Sequence, residues 1–348
     1  MGQFPPSERS VEVIVMRISR GLVILVLAVA FAAGVVLALD GPPPWAYGFP
    51  APAGPPVSAP AAAPPAQDDG TLKHLPGSTL AFTSTQIRNG FGPADWYPGD
   101  HPPMPEIVQR GRAPEVRACS LCHYPNGKGR PENAAVSGLP YAYFVQTMND
   151  FKNGARKSAD TRKANTNAMA GFAKTMTDGE IMAAAAYFSS MKWTPWIRVV
   201  ETNTVPKTRI NAGMFLRIEG NDTEPIGERI IEAPENTEAT EQLRDPHSGF
   251  VAYVPVGSIK KGEALVMNGG AGKTVQCGTC HGADLQGLGP VPGIAGRSPS
   301  YLVRQMYDMQ QGTRTGTWTE LMKPVVAKLS ATDMLNIAAY TTSRPVAP

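Results

Sequence analysis

The sequence predicts a mostly α-helical protein, in which an irregular, partly β insert joins two repeated domains behind an N-terminal hydrophobic helix. Two observations predict this fold class. The pattern C-x-x-C-H occurs twice, at residues 119–123 and 277–281, and the two copies contain all 4 cysteines of the 348-residue chain. Segments with helical apolar spacing follow both copies at the same distance, which indicates that each copy begins a similar helical domain.

The C-x-x-C-H pattern is typical of c-type haem attachment. Two thiols three positions apart can bond to two carbons of one porphyrin, and the histidine that follows can bind the iron. We therefore predict two covalently bound haem c groups. The predicted attachment sites are Cys119 and Cys122 for the first haem and Cys277 and Cys280 for the second, with His123 and His281 as iron ligands. Zinc binding and thiol–disulfide chemistry are the alternatives, but neither explains a histidine after each distant pair.

An amphipathic helix is predicted at the same distance after each copy of the pattern. The matched positions are a tyrosine near the start, Tyr143 and Tyr301, a glycine at the end, Gly154 and Gly312, and an arginine beyond it, Arg156 and Arg314. A glycine directly after the last apolar position is a common helix stop. The arginines could contact haem propionates or be solvated.

A methionine is matched in the two halves before the last predicted helix of each. Met169 precedes the capping-box pattern of residues 177–180, and Met322 precedes that of residues 330–333. We predict that both lie in a loop and bind iron opposite the histidines, because His/Met ligation is one of the ligand sets of c-type haem. Met148 and Met306 also match, but their helical spacing is typical of core packing.

Three other histidines were weighed as ligands or loop residues. His74 and His101 are alternatives to Met169 at the first haem, whereas His247 follows an Asp-Pro pair and is expected in a loop.

With these residues in place, the chain resembles class I cytochromes c, specifically the tandem dihaem members. The resemblance covers residues 105–192 and 257–344 and includes Pro292, whose counterpart in such families commonly orients the haem histidine through its carbonyl. Ala134 stands at the matching position of the first half, which departs from the family pattern. The resemblance implies small all-helical domains around haem, in which an N-terminal helix crosses the C-terminal one. Residues 258–268 are predicted to form that first helix in the second domain.

The N-terminal segment predicts export. Arg17 and Arg20 precede a stretch at residues 21–39 that lacks charged residues. Its length is nearer to the roughly 20 residues of a spanning helix than to the apolar core of a cleaved signal. We therefore predict a single-pass protein of the bacterial inner membrane with periplasmic haem domains, or a soluble periplasmic protein if the segment is cleaved.

The predicted organisation has five parts. They are a signal anchor or signal peptide at 1–40, a Pro/Ala-rich linker at 41–70, haem domains at 71–192 and 257–348, and an insert at 193–256. The linker composition favours an extended chain without a core. Short β-type runs at 197–200, 226–231 and 250–254 indicate that the insert is a small sheet that bridges the domains or a docking surface for another subunit.

Charge divides along the same boundaries. Residues 71–192 carry 14 basic and 9 acidic side chains, residues 257–348 carry 9 and 5, and the insert carries 6 and 10. The basic domains suit steering toward an acidic partner, although an ordinary solvated surface has the same composition. An exported protein of this kind is not expected to bind nucleic acid.

The predicted function is relay of single electrons, without catalytic residues. The donor would be a quinol-oxidising complex or a dehydrogenase, and the acceptor a terminal oxidase. One alternative is a haem subunit of a larger membrane redox complex. Another is a dihaem enzyme or sensor with one open haem.

Overall fold

The computed structural model of the protein describes residues 1–2, 41–50 and 68–346. The chain divides into two compact units, Met1–Gly41 and Pro42–Pro348. Of the first unit, only residues 1, 2 and 41 are described. The predicted export segment and residues 51–67 of the predicted linker therefore lie outside the described residues.

The predicted localisation in the inner membrane is contradicted. Within the described ranges, no helix is both long and apolar enough to cross a membrane. The longest helices described contain 12 residues, whereas a spanning helix needs about 20. The stretch at 21–39, on which the prediction rested, is not part of the described structure.

The first repeat is helical, with one short hairpin. Its elements, with those that precede it, are α1 (Pro44–Tyr47), α2 (Ser84–Ile87), α3 (Glu106–Gln109), β1 (Gly111–Arg112), β2 (Val116–Arg117), α4 (Cys119–His123), α5 (Tyr141–Lys152), α6 (Ala164–Thr175) and α7 (Asp178–Ser189). The core of this repeat lies among α3, α5, α6 and α7, and its largest buried side chains include Phe144, Phe151 and Phe188.

The insert forms short strands and a π-helical turn at Ala239–Leu243. The strands are β3 (Ile197–Glu201), β4 (Thr204–Pro206), β5 (Thr208–Asn211), β6 (Met214–Arg217), β7 (Thr223–Pro225), β8 (Ile231–Pro234) and β9 (Phe250–Val254). In the three-stranded sheet β3-β9-β8, β9 runs parallel to β3 and antiparallel to β8. Strands β4 and β7 pair as one antiparallel ribbon, and β5 and β6 pair as another. The β-type run at 226–231 forms a strand only from its last residue.

The second repeat follows the order of the first. It contains α8 (Ser258–Asn268), α9 (Gly278–His281), β10 (Gly287–Leu288), β11 (Val291–Pro292), α10 (Pro299–Gln310), α11 (Thr319–Val326) and α12 (Ala331–Thr342). Helix α8 occupies residues 258–268, as predicted. It crosses α12 closely at Gly262, where a Cβ atom would collide with the backbone carbonyl of Asn336.

Both predicted capping boxes are confirmed. The Thr177 hydroxyl accepts a hydrogen bond from the Glu180 amide at 3.2 Å, and the Glu180 carboxylate accepts one from the Thr177 amide at 2.7 Å. Ser330 and Asp333 make the same reciprocal pair at the start of α12. These bonds satisfy N-terminal amides that have no partner within the helix.

Two local predictions are wrong. Met169 and Met322 lie within helices α6 and α11 rather than in loops. A loop was predicted because both precede a strong cap, but the chain folds into one more helix before that cap in each repeat. Residues 44–47 of the predicted linker are not extended either, because they form helix α1. Tyr47 of this helix is fully buried, and its hydroxyl donates to Asp308 at 2.7 Å.

Strand β9 of the insert packs against residues on two sides. Phe250 of β9 packs with Tyr124, Trp193 and Trp196 beside the first repeat. Ala252 and Val254, farther along the same strand, belong to the core of the second repeat. One strand therefore contributes side chains to both sides.

Candidate functional site

Helix α4 holds the first C-x-x-C-H copy against α3. The Ser120 hydroxyl donates to the Val108 carbonyl at 2.7 Å, and Leu121 is buried beside it. The Nδ1 atom of His123 lies 2.7 Å from the Ala134 carbonyl oxygen. Because a carbonyl oxygen only accepts, Nδ1 carries the proton, and the lone pair of Nε2 is left for a metal.

Helix α9 repeats this geometry in the second half. The Nδ1 atom of His281 lies 2.8 Å from the Pro292 carbonyl oxygen. The carbonyls of Pro292 and Ala134 therefore both accept a hydrogen bond from the histidine Nδ1, although only the proline matches the family pattern. The acceptor is a backbone atom, so the side chain at that position is not decisive. Such outer bonds fix the tautomer and ring orientation of a metal-binding histidine.

Burial sets the protonation of these groups. It lowers the pKa of both His123 and His281, against the raising effect of the carbonyl bonds, which favours the neutral imidazole that a metal requires. Burial raises the pKa of the Cys119 thiol to about 12 and that of Cys277 to about 11. Zinc ligands are thiolates, and no group of three His, Cys, Asp or Glu residues in the described part of the chain could hold a metal ion. The zinc alternative therefore finds no support.

A first cavity of about 810 Å³, including its mouth, lies beside α4. His123 and Met169 both line it, together with the apolar side chains of Phe144, Met148 and Phe151. Cys119 and Cys122 are on the same helix as His123 but are not among the lining residues. The Cys119 sulfur lies 3.4 Å from the Ile107 carbonyl oxygen.

A second cavity of about 1480 Å³, including its mouth, lies beside α9. It brings together all four predicted residues of the second site, which are Cys277, Cys280, His281 and Met322. Its other lining is largely apolar and includes Ile294, Leu302, Met306, Met309 and Leu329.

Both cavities fit haem by the chemistry of their donors. Each has a neutral imidazole with a free Nε2, a thioether sulfur on another helix, and apolar walls suited to a large flat macrocycle. The predicted rivals at the first site lie elsewhere. His101 has both ring nitrogens engaged, with Asp95 at 3.1 Å and the Pro102 carbonyl at 2.9 Å. His74 is exposed, and His247 contacts Asp100 at the surface.

One wall separates and lines both cavities. Its shared residues are Leu139, Tyr143, Tyr301 and Gln305. Across this wall, Arg156 donates to the Tyr301 hydroxyl and Arg314 to the Tyr143 hydroxyl, each at 2.9 Å. Each repeat therefore supplies the arginine that holds the tyrosine of the other. Both arginines are buried, which excludes the solvated one of the two alternatives.

Charged residues in the first cavity were missed by sequence reasoning. Lys163 is buried in its lining, and burial lowers the pKa of Lys163 to about 7. Its ammonium donates to the Tyr47 carbonyl at 3.2 Å. The sequence contained one sign that the segment around Tyr47 packs against the rest of the protein. Trp45 and Tyr47 are large aromatic residues in a proline-rich segment, and extended linkers rarely contain such residues.

Comparison with known proteins agrees with this chemistry. A family model described as cytochrome c matches residues 108–192. Cytochrome c-554(548) of Halomonas halodenitrificans is 40% identical over 76 residues, which are 22% of this chain and 92% of that protein. The chain belongs to the cytochrome c family. It is thus an electron-transfer protein with covalently bound haem c rather than an enzyme.

Two further similarities cover about two thirds of this cytochrome. A protein of Thiomonas intermedia named thiosulfate dehydrogenase electron acceptor is 23% identical over 240 residues, covering 68% of this chain and 82% of that protein. Reduced recombinant cytochrome c4 from Pseudomonas stutzeri is structurally similar with a TM-score of 0.42 at 21% identity, covering 65% of this chain and 93% of that one.

Proposed function

We propose that this cytochrome is a dihaem relay with His/Met ligation at both irons. The first haem is held by Cys119, Cys122, His123 and Met169, and the second by Cys277, Cys280, His281 and Met322. The observation that carries the proposal is that each of two separate cavities is lined by both the predicted histidine and the predicted methionine of its repeat.

The bound haem would supply a one-electron couple at iron, and the protein's part is to hold that couple in a fixed environment. The carbonyls of Ala134 and Pro292 hold the two imidazoles in one orientation. Met169 and Met322 would each supply a second iron ligand, which would keep substrates and water from the metal. A filled coordination sphere suits electron transfer, whereas catalysis needs an open position.

The shared wall supports electron exchange between the two haems. Tyr143, Tyr301 and Gln305 line both cavities, so these side chains would lie between two bound haems. The bonds of Arg156 and Arg314 across this wall join the repeats tightly. The segments carrying these arginines also pair through backbone bonds, from Lys157 to Thr313 at 2.9 Å and from Thr315 to Ala155 at 2.6 Å.

We also propose that the two repeats, 71–192 and 257–348, act as one body in this relay. In support, residues 42–348 belong to one compact unit. Arg304 of the second repeat donates to the Pro131 carbonyl of the first at 2.7 Å and to the Ala46 carbonyl at 2.6 Å.

For the electron donor, we propose a dehydrogenase that oxidises an inorganic sulfur compound. The name of the Thiomonas relative supports this choice over a quinol-oxidising complex. A terminal oxidase is the proposed acceptor. The donor is tested by mixing the oxidised cytochrome with a purified thiosulfate dehydrogenase and thiosulfate, and following haem reduction optically. If the dehydrogenase and thiosulfate reduce the cytochrome slowly while dithionite reduces it rapidly, this donor is rejected. That result would not contradict the proposed relay between the two haems.

The ligand assignment is tested by comparing methionines that line the same cavity. Met322→Ala should lower the potential of one haem by on the order of 100 mV and let its reduced iron bind carbon monoxide, because the axial ligand is lost. Met306→Ala removes a neighbouring methionine of the same cavity and should leave both properties nearly unchanged. Met169→Ala and Met148→Ala are the matched pair in the first cavity.

Spectroelectrochemical titration and carbon monoxide difference spectra measure these effects. An unchanged titration in Met322→Ala, or a larger shift in Met306→Ala, would contradict the assignment. Carbon monoxide binding by the unmodified reduced protein would instead favour an enzyme or sensor with one open haem.

A further inference from the structure

Three buried hydrogen-bond donor atoms lie where the insert meets the first repeat. They are the Tyr124 hydroxyl, the Nε atom of Arg130 and the Nη2 atom of Arg244, and none of them has a hydrogen-bond partner in the described part of the chain. Tyr124 is only 2% exposed, and the Arg130 side chain is 12% exposed. Buried donors are almost always paired, because an unpaired one destabilises the fold. We name these three atoms the donor cluster.

The members of the donor cluster act on one another. The Arg244 guanidinium lies 5.5 Å from the centre of the Tyr124 ring. Burial raises the pKa of the Tyr124 hydroxyl, whereas the charges of Arg130 and Arg244 both lower it. The same two charges lower the pKa of the Cys122 thiol, against the raising effect of burial. The donor cluster therefore occupies one neighbourhood, beside a predicted attachment residue of the first haem.

One positive charge in this neighbourhood is not paired. Arg130 is held by Glu132 at 2.6 Å. Asp245 also acts on Tyr124, but its carboxylate accepts from the His247 amide at 2.8 Å and forms no ion pair with a described arginine. Burial lowers the pKa of Arg244, and the charge of Arg130 lowers it further. A buried cation of this kind is stabilised by an adjacent negative charge.

The chemistry of the donor cluster favours an anion over water. A water molecule accepts two hydrogen bonds at most and has no net charge, whereas a single-atom anion accepts from several directions and balances a cation. The haem propionates are not suited to this role, because they leave the porphyrin on the edge opposite the two carbons that bond to cysteine. A donor cluster beside Cys122 therefore calls for a separate anion.

The second repeat has no counterpart of the donor cluster. When the repeats are aligned on their haem histidines, Gly282 matches Tyr124 and Leu288 matches Arg130. Leu288 is exposed to 60%, and Val275, which lines the second cavity, is exposed to 48%. A cytochrome repeat can thus form its cavity without these donors. Any effect of an anion at the donor cluster should therefore be confined to the first haem.

We propose that Tyr124, Arg130 and Arg244 bind one small monovalent anion of the size of chloride. The bound anion makes the ferric form of the first haem more stable relative to the ferrous form, and so lowers the potential of that haem. No bond is made or broken apart from hydrogen bonds. The effect on the potential rests on the proposed function, because it takes the first cavity as a haem site, whereas the binding itself does not.

The first test is a spectroelectrochemical titration of the full chain, with both haems bound, in increasing sodium chloride. Sodium gluconate keeps the ionic strength constant, so that general screening does not change. The potential of the first haem should fall and then level off, while that of the second stays constant. Linkage fixes the size of the fall. Binding that is roughly threefold tighter to the ferric protein corresponds to a fall of about 28 mV, at about 59 mV for each factor of ten.

Two variants and a matched control assign this effect to the donor cluster. Tyr124→Phe keeps the ring beneath Arg244 but removes a donor, and should weaken chloride binding roughly tenfold. Arg244→Leu should remove the chloride dependence altogether, so its own effect on the potential is measured in gluconate alone. The control is Tyr187→Phe, because the Tyr187 hydroxyl already donates to the Pro125 carbonyl at 2.7 Å. Equal chloride dependence in Tyr124→Phe and the unmodified protein would contradict the proposal.

Two further measurements detect the anion without reference to the haem potentials. Chloride NMR line broadening reports binding in solution, and anomalous diffraction from crystals soaked in bromide should show one peak within hydrogen-bond distance of all three donors. Both signals should be lost in Arg244→Leu.

The outcomes separate this proposal from the proposed function. Absence of chloride binding in solution would overturn the proposal, and a bromide peak without it would mean an adventitious ion only. Saturable binding that depends on Tyr124 and Arg244 would support the proposal. If such binding leaves both haem potentials unchanged, the anion site stands and the assignment of the first cavity as a haem site is contradicted.

Discussion

The two haem cavities share one motif and one histidine geometry but have different surroundings. Directly after the haem histidine, the second repeat has Gly282, with a positive φ of 83°. The first repeat has Tyr124 at this position, and its φ of 62° is also positive. This conformation costs a non-glycine residue on the order of 1–3 kcal/mol. Burial of the Tyr124 ring against Trp193, Trp196 and Phe250 offsets that cost.

The insert contributes to this contrast. Its Arg244 lies over the Tyr124 ring at 5.5 Å and is partly buried close to Cys122. Asn126 of the first repeat donates to the Pro246 carbonyl at 3.1 Å. The second cavity instead opens between exposed aliphatic residues. This difference shows that the C-x-x-C-H motif determines the histidine geometry, whereas the residues packed around each cavity determine its charge and its access to solvent.

The largest expected effect concerns how the insert attaches to the second repeat. Glu232 of β8 is buried and accepts from the Ser298 hydroxyl at 2.8 Å and the Ser300 amide at 3.3 Å. Burial raises the pKa of Glu232 to about 7, although the serine bonds and Arg304 lower it in part. The protonated carboxyl stabilises the fold fully below its unfolded pKa near 4.5, and this contribution is lost as pH rises through 7.

The free energy of unfolding should therefore fall by roughly 3 kcal/mol between pH 5 and pH 8 through this residue. Glu232→Gln keeps a hydrogen-bond acceptor without the charge and should flatten that part of the profile. Glu235→Gln, at an exposed carboxyl close by, serves as control. Denaturant titrations at the two pH values measure it, and identical profiles for Glu232→Gln and the unmodified protein would contradict the prediction.

A second prediction compares helix glycines in the two repeats. Gly262→Ala places a methyl group against the Asn336 carbonyl where α8 crosses α12, and should destabilise the protein by about 1–3 kcal/mol. Gly171→Ala, in α6 of the first repeat, meets open space and should stabilise it by about 0.5–1 kcal/mol through helix propensity. Thermal unfolding followed by far-UV circular dichroism distinguishes them. Equal shifts in both variants would show that the crossing is not tight.

The smallest expected effect concerns the charge beside the first haem. Arg244→Leu removes a partly buried cation near Cys122. It should lower the potential of the first haem by several tens of millivolts, because the ferric form is then less disfavoured. The second haem should not change. Arg209→Leu, an exposed insert arginine paired with Glu241, is the matched control. If the redox titration of Arg244→Leu shows equal shifts in both haem potentials, the proposed difference between the two cavities is contradicted.

Several features followed from the sequence because they depend on neighbours in the chain. Both capping boxes are local, because each joins two residues that lie three positions apart. The internal repeat also pointed to Met169 and Met322, since matched positions reveal shared constraints without a structure. The structure places each of them in a cavity with the expected histidine.

Other local predictions failed where tertiary contacts took over. The proline-rich composition of residues 41–50 suggested an extended chain, but Tyr47 found a buried partner in Asp308 of the second repeat. Composition describes the average cost of ordering a segment, whereas one well-packed aromatic residue can offset that cost.

The sequence by itself determined the haem motifs, the repeat and the caps, because each is written in residues close together or equally spaced. Only the tertiary structure decided that Ala134 serves as well as Pro292, that Arg156 holds Tyr301, and that the two cavity mouths differ. These outcomes depend on backbone atoms or on pairs brought together from distant parts of the chain. No spacing in the sequence encodes such contacts until packing has fixed which surfaces meet.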